Sequence, residues 1–226
     1  MSPSILTEKL PLHCLISAGP TREWIDPVRF ISNPSSGKMG FALARAAEEQ
    51  GMLVTLVTGP TQLSRPDGVT VMEVETALEM KEAMDAYFDQ ADIIIMSAAV
   101  SDHRAVLKSD KKIHKDQFPE SLNLIKNPDI LISLGSKKRP DQVLVGFAAE
   151  SNDVVESATR KLNDKNLDWI VANDISNKDI GFSSDKNEVF LIGSKGDFLH
   201  ICLADKCIIA KEIIDAIYPA WLEKAH

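Results

Sequence analysis

The segment Ser32-Asn33-Pro34-Ser35-Ser36-Gly37-Lys38-Met39-Gly40 places two hydroxyls, a glycine and a lysine directly ahead of a helix-periodic run. A helix N-terminus offers free backbone N–H groups and the positive end of the helix dipole, so this composition suits a phosphate. A plain helix cap, which contributes about 1 kcal/mol, would need only one of the two serines. The pattern is neither GxGxxG nor GxxxxGK[ST], so neither a dinucleotide fingerprint nor a P-loop is supported. A second candidate is Lys108, Lys111, Lys112, His114 and Lys115 in a polar stretch without sustained periodicity. From Arg104 to Arg139, nine Lys and Arg stand against four Asp and Glu, in a chain whose net charge is −8. Such local inversion suits an anionic ligand; a solvated loop is the plain alternative. A lysine closing over a triphosphate would act as a lid that keeps water from a reactive intermediate.

Two strand ends complete the set. Ser97-Ala98-Ala99-Val100-Ser101-Asp102 follows the most strand-like run, and its small residues let a ligand approach closely. Asp102 could orient a lysine or help hold a magnesium-bound phosphate, or simply cap a turn. In Gly146-Phe147-Ala148-Ala149-Glu150, Phe147 could stack on a base or belong to the core.

The elements that must position these residues alternate between strand and helix. Strands are expected at 12–18, 52–57, 69–74, 92–96, 143–148 and 168–172, and helices at 38–50, 77–88, from 127–128 onward, 154–166 and 205–224. Thr76 with Glu79 is a capping-box signature, and Pro128 suits a first helical turn. Ser194-Lys195-Gly196 separates two strand-like runs, 188–193 and 197–203, as in a β-hairpin. Ile208, Ile209, Ile213 and Ile217 are expected to form the inner stripe of the last helix. The alternation predicts an α/β, Rossmann-like three-layer fold with a mainly parallel sheet and a C-terminal β-hairpin. Such sheets bind ligands beyond the carboxyl ends of their strands, which directs attention to the residues after Ala18, Val57, Ala98 and Ala148.

With 226 residues the chain is expected to be a single domain over 1–226 with a flexible lid at about 104–125. Hydrophobic residues at 44% and charged residues at 26% are ordinary globular composition, which argues against wholesale disorder. The acidic balance argues against general nucleic-acid or membrane-surface binding. The longest apolar run, 93–100, is far short of the ~20 residues of a membrane helix, and Glu8 and Lys9 stand where a signal peptide would be apolar. Cys14 and Cys202 lie in apolar segments and read as core thiols of a reducing compartment. A cytoplasmic protein is expected.

Five segments together resemble the phosphopantothenate–cysteine ligase family of coenzyme A biosynthesis. They are SAGPTREWIDPVRFISNPSSGKMG (17–40), SAAVSDHR (97–104), KNPDIL (126–131), VGFAAES (145–151) and KNLDWIVANDIS (165–176). The family's ligase is in many bacteria fused behind a flavin-dependent decarboxylase domain. No segment resembles that domain, so a stand-alone ligase is expected. The resemblance implies that the carboxylate of 4′-phosphopantothenate attacks the α-phosphate of CTP, expelling pyrophosphate. The amine of cysteine then attacks the acyl-cytidylate and releases CMP. CTP as co-substrate and Mg²⁺ are thus implied.

By position, the resemblance makes Lys112 the lid lysine that forms the acyl-nucleotide, with Lys111 and Lys115 as alternatives because His114 interrupts the lysine run. It makes Asn33 the asparagine acting on that intermediate by hydrogen-bonding an acyl or phosphoryl oxygen. Arg29 falls in the phosphopantothenate region, with Ala98 and Ala99 lining the pocket. Ser35, Ser36 and Gly37 form the phosphate cradle. Asp102, Pro128, Asp129, Ile130, Leu131, Phe147, Lys161 and Lys165 fall at nucleotide-binding positions. Pro34 stands where bacterial relatives carry histidine, so that side chain is not required here. The family forms homodimers with composite sites, so Arg29 or Asn33 could serve a neighbouring protomer, and the hairpin near 188–203 could supply an edge for pairing. Direct metal ligands are not identified. The alternation alone also permits an NAD(P)-dependent Rossmann-type oxidoreductase, which the missing GxGxxG and the lack of a Tyr-x-x-x-Lys pair count against. A catalytically silent nucleotide-binding regulator is a third class.

Overall fold

The computed structural model describes residues 11–150, 153–174 and 184–225. The motifs at 145–151 and 165–176 therefore run past the described residues. In chain order the elements are β1 (His13–Ala18), β2 (Arg22–Trp24), β3 (Phe30–Ser32), α1 (Lys38–Glu49), β4 (Leu53–Thr58), β5 (Val69–Glu73), α2 (Ala77–Phe88) and β6 (Ile93–Met96). There follow β7 (His103–Ala105), β8 (Leu124–Lys126), α3 (Ile130–Lys137), β9 (Val143–Glu150), α4 (Val154–Asp164), β10 (Trp169–Asp174), β11 (Lys186–Gly193), β12 (Phe198–Asp205) and α5 (Lys206–Ala225).

Eight strands form one sheet in the order β12-β11-β10-β9-β6-β1-β4-β5. The pairs from β5 through β10 are parallel, and β11 and β12 continue the sheet antiparallel. Period-2 alternation sends Cys14, Ile16 and Ala18 to the layer of α1 and α5. Leu15, Ile94 and Leu144 face the layer of α2, α3 and α4, where Met80, Met84, Phe88, Leu134 and Leu162 are buried. The expected three-layer fold and C-terminal hairpin are thus both present. The chain order reverses between β1 and β6, so the crevice beyond Ala18 and Met96 is the topological switch point where α/β sheets bind ligands.

Several expectations are corrected. The long β1–α1 connection, for which no element was expected, contains the antiparallel arm β2–β3, closed by an edge-to-face contact of Trp24 with Phe30 at 5.0 Å between centroids. α3 starts two residues later than Pro128 implied, because the Asp129 side chain accepts from Ile132 N at 2.9 Å and caps the helix there. The irregular stretch is anchored by a short ladder of β7 on β8. Ile208 is exposed, and Ile214 is buried beside Ile209, Ile213 and Ile217. Cys202 is exposed on the edge strand β12, whereas Cys14 is fully buried and its thiol pKa is pushed well above normal by burial and then by Asp92.

Candidate active site

The crevice is built by sewing the segment after β6 onto the end of β1. Ser97 Oγ donates to Ser17 O at 2.6 Å, and Ala98 N donates to Ser17 Oγ at 3.2 Å. Ala99 N donates to Gly19 O at 2.9 Å, and Ser101 N to Thr21 Oγ1 at 2.9 Å. α1 is drawn close over this seam. A Cβ on Gly40 would stand 2.5 Å from Ala18 Cβ and 2.7 Å from Ser97 Oγ, so only glycine lets the helix reach the strand ends. The result is a cavity of about 420 Å³ lined on one side by the 33–40 loop and on another by Ala98, Ala99 and Val100.

The helix entry is not a serine cap. Gly37 is the N-cap residue, in the left-handed region at φ +79°, and no side chain caps α1. Ser35 Oγ instead accepts from Gly37 N at 3.3 Å, and both Ser35 and Ser36 line the cavity. Asn33 Nδ2 donates to Ala99 O and Val100 O, each at 3.1 Å. Both amide hydrogens are thereby committed to the backbone, and Oδ1 remains an acceptor. The expected donation from Asn33 to an acyl or phosphoryl oxygen is therefore not available in this arrangement. The residue is positioned to accept a hydrogen bond, as from an amine.

A second cavity, of about 570 Å³, adjoins the first and shares Ala98, Val100, Asp102 and Phe147 with it. Pro128, Asp129, Ile130, Leu131 and Lys165 line it, so the cradle and most of the expected nucleotide positions meet across Phe147. Lys165 Nζ is held by Asp129 Oδ2 at 2.7 Å. The Asp102 carbonyl accepts from Asn127 N at 2.8 Å, Asn127 Nδ2 donates to Ser101 O at 2.8 Å, and Arg104 Nη1 donates to Asn127 Oδ1 at 2.8 Å. These bonds fix the wall that carries the exposed Asp102 side chain. Among the described residues no group of three His, Cys, Asp or Glu side chains could cage a metal. Magnesium is commonly held by one or two carboxylates plus substrate phosphates, and Asp102 beside the cradle fits that donor set.

Three expected site residues lie outside both cavities. Lys112 is exposed on the 106–123 loop. Lys161 is bonded to Glu150. Arg29 Nη1 pairs with Asp26 Oδ2 at 2.9 Å and donates to Ile113 O at 3.3 Å, and its guanidinium lies 4.2 Å from the Phe118 ring centroid. Asp26, fully buried, also accepts from Val28 N, Arg29 N and Ile113 N. Burial alone would raise its pKa, but the backbone donors and the Arg29 charge hold it below the usual carboxylate value. Arg29 and Asp26 thus latch the lysine-bearing loop to the β2–β3 arm.

This geometry accompanies a clear relationship to known proteins. The family model described as the DNA/pantothenate metabolism flavoprotein C-terminal domain matches residues 11–220. The chain belongs to that family. The chain is 45% identical over 216 residues to the coenzyme A biosynthesis bifunctional protein CoaBC of Escherichia coli, covering 94% of this chain and 53% of that protein. The chain thus spans about half the length of that relative. It superimposes on the crystal structure of the C-terminal domain of a CoaBC protein with a TM-score of 0.80 and 40% identity, covering 94% and 96% of the two chains. A Cab2 mutant in complex with phosphopantothenate-cysteine shares the fold, with a TM-score of 0.74, 17% identity, and coverage of 94% and 88%.

The far wall of the first cavity includes residues the sequence did not single out as site residues: Asn173 on β10, Asn187 on β11 and Lys206 at the start of α5. Asn173 lay within a quoted motif, and its Oδ1 is buried with no hydrogen-bond partner. Nothing in the local pattern distinguished Lys206 from a surface lysine.

Proposed function

We propose that this chain is a ligase of coenzyme A biosynthesis that joins 4′-phosphopantothenate to L-cysteine at the expense of CTP. The observation that carries this reading is the pair of cavities meeting at Ala98, Val100, Asp102 and Phe147, one with an anion cradle and the other sized for a nucleoside. Membership of a family that includes the CoaBC C-terminal half supports it, and the Cab2 relative binds the product of such a reaction.

A carboxylate is a poor acyl donor and must be activated. The substrate carboxylate oxygen forms a bond to the α-phosphorus of CTP, the Pα–O bond to the β-phosphate breaks, and pyrophosphate leaves with the bonding pair. The cysteine nitrogen then bonds to the acyl carbon, CMP leaves, and the nitrogen gives up a proton. The 35–37 loop and α1 N-terminus stabilise the phosphate charge, and Phe147 packs against the nucleotide. Asn33 Oδ1 accepts from the incoming amine and orients its lone pair. Asp102 is the carboxylate that would hold a magnesium ion, which would neutralise charge on the phosphates.

Lys112 enters as the lid lysine once the loop leaves its latch. Val28, Phe30, Val106, Leu107, Leu124 and Ile125 are exposed on the arm and loop, which supports a homodimer whose second copy covers them and completes the site. Quenched-reaction mass spectrometry tests the assignment. Lys112→Ala should release no pyrophosphate. Asn33→Ala should release it and accumulate acyl-cytidylate. Normal turnover in either variant refutes that residue's role, and NADPH-dependent chemistry without any CTP turnover would refute the ligase.

A further inference from the structure

The wall between the two cavities is held from behind by a residue that touches neither. Thr21, just ahead of β2, has no solvent exposure and lines neither cavity. Each of its three polar groups is bonded to one of the two segments that make the site. Its N–H donates to Ala99 O at 3.3 Å, its Oγ1 accepts from Ser101 N at 2.9 Å, and its carbonyl accepts from Ser32 Oγ at 2.7 Å. On the cavity side, Asn33 Nδ2 donates to Ala99 O and Val100 O.

These bonds converge on one side chain. Ala99 O takes Thr21 N on one lone pair and Asn33 Nδ2 on the other. Val100 lies between two residues that Thr21 holds, so the second carbonyl bonding Asn33 is fixed as well. Ser32, also held by Thr21, immediately precedes Asn33. Thr21 thus sets both the backbone from which Asn33 springs and the two carbonyls that hold its amide nitrogen. With the nitrogen fixed, the direction of Oδ1 is fixed. Ser101 is buried, so without the Thr21 hydroxyl its N–H would lose its partner away from water, and the 99–101 strap would have to move. The far end of the strap has its own anchor, because Asn127 Nδ2 holds Ser101 O and Asn127 N holds the Asp102 carbonyl. A shift at Thr21 therefore falls on Ala99 and Val100 rather than on the nucleotide side of the wall.

We propose that Thr21 is a positioning residue for Asn33, and that it thereby acts in the amide-forming step and not in activation of the carboxylate. The inference rests on the ligase reading for what Asn33 does, and on the bonds above for how Asn33 is held.

Three measurements on the full chain test it: exchange of labelled pyrophosphate into CTP without cysteine, product formation with cysteine, and acyl-cytidylate in quenched samples. Thermal melting verifies folding. Thr21→Val keeps the side-chain shape and removes the hydroxyl. It should lower turnover about tenfold or more, leave exchange within about threefold and accumulate acyl-cytidylate, whereas Thr21→Ser should stay within about threefold of wild type. Because both residues act through one side chain, adding Thr21→Val to Asn33→Ala should slow turnover by less than about twofold further. A merely structural role would multiply the two losses and lower exchange together with turnover. Either of those results, or unchanged turnover in Thr21→Val, overturns the proposal. Acyl-cytidylate in Asn33→Ala but not in Thr21→Val refutes the positioning role alone. None in either variant, while the wild type still forms product, refutes the ligase order and the positioning role together. If Thr21→Val does not fold, Ser32→Ala, which removes the hydroxyl holding the Thr21 carbonyl, decides: a loss of turnover of about threefold with exchange retained sustains the proposal, and an equal fall in both overturns it.

Discussion

Gly40 shows how one atom sets the geometry of the site. The Cβ of an alanine there would press on Ala18 and on the Ser97 hydroxyl that holds β6 to β1. Gly40→Ala gains helix propensity but overpacks the seam. A net loss of about 1–2 kcal/mol is expected in chemical denaturation, together with weaker binding in the first cavity. The glycine was visible in the sequence as part of the SSGKMG motif, but its reason was not, because the atoms it must clear come from Ala18 and Ser97. The same limit applies to Asn33 and Lys206. Residue type marked Asn33 as a candidate, yet only the carbonyls of Ala99 and Val100 show which of its atoms is available. A buried lysine carries no local signature at all. Asn173 is intermediate, legible as part of a motif and illegible as a cavity wall.

Elements were legible where the signal was local. The Thr76–Glu79 capping box is formed in both directions, and α2 runs over the expected residues. Apolar runs marked the inner strands because a parallel sheet covered on both faces needs them. The β2–β3 arm escaped notice because its strands are three residues long and its order comes from Trp24, Phe30 and the buried Asp26 rather than from periodicity. That arm holds the lysine-bearing loop. Asp26→Asn should leave the sheet intact but speed proteolytic cleavage within 106–123 several-fold, since it removes the charge partner of Arg29 and weakens its bond to Ile113 N. The folded-state pKa of Asp26 is depressed, so the latch is fully present above the unfolded carboxylate value, about 3.9, and is lost as pH falls below it. Loop protection measured by proteolysis should therefore be flat from pH 7 to about 5 and fall below about 4.

At the scale of the whole molecule, strand–helix alternation pointed to the four strand ends after Ala18, Val57, Ala98 and Ala148, and the observed strand order picks out the switch point between β1 and β6 as the crevice. What alternation could not show is that Lys112 and Arg29 lie away from the crevice in a single chain. A site completed by a second copy predicts complementation. Mixing inactive Lys112→Ala with inactive Asn33→Ala should restore up to about a quarter of the activity if the two residues serve one site from different protomers, as random pairing in a two-fold dimer produces. If both act within one chain, mixing should restore nothing.

The central claim concerns order: an acyl-nucleotide forms before cysteine is needed. Exchange of labelled pyrophosphate into CTP, catalysed by the wild-type chain with magnesium and phosphopantothenate but without cysteine, tests it most directly. The account predicts exchange that stops when phosphopantothenate is omitted. Absence of exchange under conditions that support product formation would contradict it.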